Sequence, residues 1–143
     1  MSYESIRQAR RANRQLRANE IRRTFKKEET LTIHWDSKLL PELTGTEIVD
    51  RLAIYISGGD FTKLLGIPVL PDGTGESQAT AVLQNLEDWG LSDDVEFMGF
   101  DTTSVNTGEH KGTLALLQRK LGRPLINLAC RHHIFELLAA AAF

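Results

Sequence analysis

The chain has 143 residues, 41% of them hydrophobic and 25% charged, with a formal net charge of −2, the size and balance of a single globular domain. No apolar run approaches the roughly 20 residues that span a bilayer, and the single cysteine, Cys130, rules out an intrachain disulfide. The near-neutral sum hides a division: residues 1–27 hold nine Lys or Arg against Glu4 and Glu20, a net of +7, while the remainder holds eight bases against seventeen acids, a net of −9. The Arg-rich start has no hydrophobic stretch behind it, so the chain reads as unsecreted, nuclear or cytoplasmic. A mitochondrial transit peptide would need an amphipathic face, for which this start offers few apolar residues.

The segment "SIRQARRANRQLRANEIRRTF" is rich in helix formers and contains neither Gly nor Pro, and its thin stripe of Ile6, Leu16, Ile21 and Phe25 predicts a solvated helix. Residues 1–27 are therefore expected to form a basic helical arm or linker. Arg7, Arg10, Arg11, Arg14, Arg17, Arg22 and Arg23 are its candidate nucleic-acid contacts, because each phosphate neutralised by a base releases counterions. A charged linker and a short basic nuclear-import signal remain open beside that reading.

From residue 28 the pattern is that of strands. "ETLTIHWDSKLL" alternates Leu31, Ile33 and Trp35 with Thr32, His34 and Asp36, the period of a half-buried strand. "DRLAIYISGG" and "KLLGIPVL" predict a second and third strand joined at Gly58-Gly59-Asp60 as a hairpin. Helical spacing follows in "ESQATAVLQNLEDWG", with Ala79, Val82, Leu83, Leu86 and Trp89 on one side and Gly90 placed to end the helix. "DGTGESQ" lacks the Gly-Lys-Ser/Thr ending of a phosphate loop and reads as a turn and helix start. A fourth strand, "DVEFMGF", runs straight into Asp101; "TLALLQRKLG" is a second helix, "RPLINLAC" a fifth strand, and "HHIFELLAAAAF" a third helix.

The expected fold class is thus α/β, in the order β-β-β-α-β-α-β-α, with a mixed sheet because hairpins pair antiparallel and helical crossovers pair strands in parallel. If the first strand is central and the fourth lies beside it, Asp36 and Asp101 come close together, since neighbouring strands are about 4.8 Å apart. Two carboxylates at that spacing favour a hard divalent cation, Mg²⁺ or Mn²⁺. The plainer alternative makes Asp101, followed by Thr102, Thr103 and Ser104, a turn former that accepts backbone N–H groups, and Asp36 an outward residue on a solvated face. Cys130, His132, His133 and Glu136 cluster after the fifth strand; zinc would need a second ligand pair from His34 and His110 or from another chain, and His133 is alternatively an acid or phosphate contact.

Together, the strand-borne "IHWDS", the acid in "MGFDTTSVNTG" and the downstream "LACRHH" resemble the N-terminal part of the RNase H-like catalytic domain of DDE transposases, most closely of the hAT type. The resemblance covers residues 28–143 and implies a metal-dependent DNA transposase or nuclease core. In it, Asp36 and Asp101 hold the metal, His133 orients or protonates near the scissile phosphate, Cys130 and His133 form the Cys-x-x-His motif, and Arg131 meets DNA. The family's third carboxylate follows a long helical insertion beyond that motif; Glu136 is a poor substitute, and the expectation is a C-terminally truncated fragment, inactive alone. The alternative is a non-enzymatic remnant that binds nucleic acid or a partner, either itself or a full-length relative. An exonuclease of the same fold would place a second acid near Asp36, but position 38 is Lys.

Overall fold

The computed structural model describes residues 2–26, 30–41 and 48–142; the side chains of Pro41, Arg131, His132, His133, Glu136, Leu137 and Ala142 lie outside the described residues. Ser2 opens helix α1 (Tyr3–Thr24), its hydroxyl accepting the Ser5 N–H at 3.2 Å. No α1 residue is buried, as expected of its thin apolar stripe. At its C-terminal end Phe25 packs edge-on against Phe61 and Trp89, and the Arg22 guanidinium lies 5.6 Å from the Trp89 ring centre.

Strands β1 (Leu31–Pro41), β2 (Ile48–Gly58), β3 (Phe61–Gly66), β4 (Val95–Phe100) and β5 (Ile126–Ala129) form one mixed sheet in the order β3-β2-β1-β4-β5. β2 pairs antiparallel with both β1 and β3, whereas β4 pairs in parallel with β1 and β5. The alternation in β1 does what its period dictates: Leu31, Ile33 and Trp35 are buried, and Thr32, His34 and Asp36 take the other face. Leu52, Ile54 and Ile56 of β2 join the buried set, together with Val95, Met98 and Phe100 of β4.

Two helices complete that core. α2 (Gly75–Trp89) contributes Ala79, Val82 and Leu86, and α4 (Thr113–Leu121) contributes Leu114 and Leu117. Gly90 ends α2 in the left-handed conformation (φ 63°), which side chains disfavour and glycine adopts freely. A four-residue turn of helix, α3 (Ser104–Thr107), separates β4 from α4, and α5 (Arg131–Ala142) follows β5.

The third strand lies earlier than its sequence predicts. β3 covers 61–66 rather than the apolar "KLLGIPVL", because the pairing with β2 shifts register opposite Gly66 and Pro68 has no N–H to donate. Beyond the shift the chain still follows β2: Leu52 N–H donates to the Pro68 carbonyl at 3.1 Å, and Leu70 N–H to that of Asp50 at 2.8 Å.

The far face of the sheet is more open. Tyr55 and Ser57 of β2, Thr32 and His34 of β1 and Phe97 of β4 are half-buried, while Leu64, Ile126 and Leu128 are exposed. β1 and β2 also run on past the point where β4 and β5 stop, with Lys38 paired to Arg51 and Leu40 to Val49 and with Val69 bridged to Arg51 on the other side of β2.

Candidate functional site

On this open face, where β4 and β5 end against the continuing β1, a cavity of about 470 Å³ is lined by Asp36, Asp101, His34, Tyr55 and Cys130, with Gly99, Leu128 and Ala129 and the neighbouring Trp35 and Phe100. Its position follows from register. His34 pairs with Gly99 in the parallel ladder, so Asp36 and Asp101 each stand two residues beyond that pair on adjoining chains. The chain closes the cavity's other side through Cys130, whose N–H donates to the Phe100 carbonyl at 2.8 Å.

Asp101 is held in place by the residues that follow it. Its Oδ1 accepts the Thr103 hydroxyl at 2.7 Å, the Thr103 N–H at 3.3 Å and the Asn106 amide at 2.5 Å. Asn106, only 5% exposed, uses its other end to accept the Trp35 indole N–H at 2.9 Å. These two bonds fix the Asn106 amide, its oxygen on the indole and its nitrogen on the carboxylate. Trp35 in turn stacks on Phe100, with ring centres 6.1 Å apart. The acid is thereby tied through one buried amide to the strand that carries Asp36.

The wall of the cavity is aromatic. His34 and Tyr55, opposite one another on β1 and β2, stack with ring centres 4.7 Å apart and planes 6° from parallel. His34 Nε2 lies 2.8 Å from the Ser57 hydroxyl. Its ring also lies across Gly99, where a Cβ would collide with Nδ1 and Cε1, so the glycine is what lets the ring settle over β4. Burial holds the His34 imidazole below its ordinary value of 6.5. The Tyr55 phenol is pushed above its ordinary value by burial first, then by the nearby Cys130 and Asp36.

The structure brings Asp36, Asp101 and Cys130 to one cavity. Arg131, His133 and Glu136 have side chains outside the described residues, so their relation to it stays an expectation. Arg7, Arg10, Arg11, Arg14, Arg17 and Arg23 are exposed on α1, and Arg22 is half-buried at its base. Of the two histidines a zinc site would have had to borrow, His34 lines the cavity and exposed His110 does not. Tyr55, Asn106 and Gly99 were not singled out by sequence. The alternation of "RLAIYIS" does place Tyr55 on the outward side of β2, but its partner depends on register, which the pattern does not fix.

The sequence matches no family model, and no curated protein is similar to it. Among the described residues, no group of three or more His, Cys, Asp or Glu side chains is arranged to hold a metal ion. Asp36 and Asp101 are the cavity's two carboxylates and so the residues that could contribute to a Mg²⁺ site, since that ion keeps several waters and takes one or two carboxylates.

Proposed function

We propose that the chain carries the first two acids of an RNase H-like nuclease core resembling those of hAT-type DDE transposases, acting on the phosphodiester backbone of DNA. The observation that carries this reading is the meeting of Asp36 and Asp101 in one cavity, from adjoining chains of a sheet ordered β3-β2-β1-β4-β5. The strand order supports it, since the family's plan puts the first acid on a central first strand and the second after the fourth. A divalent cation, when bound, would activate the attacking oxygen and stabilise the leaving one. The residues' own share is to bind and orient: Asp36 and Asp101 would supply the cation's carboxylate ligands and Asn106 fixes the direction of Asp101, while the resemblance gives His133 the role of orienting or protonating near the scissile phosphate. Through Asp36 and Asp101 the chain is proposed to bind the cation.

One observation favours a second reading, in which Asp101 only shapes its turn: the two hydrogen bonds that Oδ1 accepts from Thr103 are those of a turn. Calorimetric titration with Mg²⁺ and Mn²⁺ separates the two. Saturable binding that weakens at least tenfold in both Asp36→Asn and Asp101→Asn, with folding checked by circular dichroism, is the expected result. Binding indifferent to both substitutions, or none by the parent chain, would leave Asp101 a turn residue and the chain a non-enzymatic remnant.

A further inference from the structure

We infer that α1 is a fixed arginine rail for the backbone of duplex DNA, a binding surface separate from the carboxylate cavity and independent of it. At 100° per residue, Arg7, Arg10, Arg11 and Arg14 fall within an arc of about 100° and span about 10 Å of helix axis. All four are exposed. The acids of α1 do little to neutralise them: Glu20 is engaged by Arg17 at 2.8 Å, which leaves Glu4. Ile6 and Leu16 lie outside this arc and apart from one another, so α1 has no continuous apolar face with which to lie on a membrane.

The rail is anchored. Phe25 between Phe61 and Trp89, with Arg22 over Trp89, fixes the helix's C-terminal end to the corner of β3 and α2. Phe61 pairs with Gly58, next to the Ser57–Thr32 pair near the start of β1. The anchor is therefore about 13 Å along the strand from Asp36, at the other end of the sheet from the acids. Residues 28–143 carry a net −9 and repel a polyanion, so DNA is favoured on the helix. With its side chains a helix is about 10–12 Å across. It enters the roughly 12 Å major groove of B-DNA, whereas the major groove of A-form RNA is too narrow to admit it.

The test is fluorescence anisotropy of a labelled DNA duplex of arbitrary sequence with the full chain, in EDTA, over a series of salt concentrations. Four phosphate contacts give a slope of log K against log salt of about −4, and Arg7→Gln/Arg10→Gln/Arg11→Gln/Arg14→Gln should remove most of that slope and weaken low-salt binding at least tenfold. Lys111→Gln/Lys120→Gln, which removes two exposed bases outside α1 and outside the cavity, should bind nearly as the parent does. The proposal is overturned if the quadruple variant, helical by circular dichroism, keeps the parent's affinity. Binding weakened as much by the Lys variant as by the quadruple Arg variant, tighter binding to an RNA duplex, or no duplex binding at low salt would overturn it too. Because EDTA removes the cation, failure of the metal reading leaves this measurement untouched, and the reverse holds as well.

Discussion

Asn106 shows how a single amide serves both fold and cavity. It accepts from a buried indole and donates to a carboxylate that faces the cavity. Asn106→Ala would leave the Trp35 N–H without a partner inside the protein, a loss of about 1–3 kcal/mol. Urea denaturation should show that loss, and Asp101→Asn, which keeps an acceptor oxygen, should cost less. His34 makes a different prediction. Its imidazole is held below its ordinary value by burial, so between the unfolded and folded values the unfolded chain binds more protons than the folded one. This residue's contribution to stability is full above about pH 6.5 and is lost as pH falls toward the folded-state value. Subtracting the pH profile of His34→Gln from that of the parent should isolate this slope, with the difference flat above neutrality.

At the scale of elements, α1 is thinly supported by the rest of the described residues. A helix of 22 residues without a buried side chain depends on its own propensity and on its anchor, and isolated helices are marginal in water. Phe25→Ala removes two edge-on aromatic pairs, each worth about 0.5–1.5 kcal/mol. It should lower both the melting temperature and the far-ultraviolet helical signal; a drop in stability with undiminished helicity would show that α1 holds itself. The strands and helices were legible where local pattern decides them. The period-two run of Leu31, Ile33 and Trp35, the helical spacing of Ala79, Val82 and Leu86, and the stop at Gly90 each need only neighbouring residues. β3 was misplaced by a few residues because the shift at Gly66 depends on its pairing with β2 and on the Asn85 side chain that packs over it.

For the whole molecule, the legible part of the cavity was the meeting of Asp36 with Asp101, which follows once β1 is central and β4 its parallel neighbour. The aromatic wall and the Asn106 bridge were not legible, since the His34–Tyr55 stack depends on strand register and the Trp35–Asn106 bond joins residues about 70 positions apart. Charge was legible and consequential: the basic arm and the acidic remainder are opposite in sign, and the structure sets the arm's anchor at the end of the sheet away from the acids. The two proposed surfaces are thus separable by substitution.

The parallel ladder between β1 and β4 has a consequence in the statistics of the chain. The two acids are about 65 positions apart, and bringing such distant points together costs closure entropy that grows as the logarithm of the loop. A cation held by both carboxylates, as proposed above, would act as a reversible cross-link across that loop. Binding the folded chain and not the dispersed one, the proposed cation would add its affinity to the stability of the whole sheet.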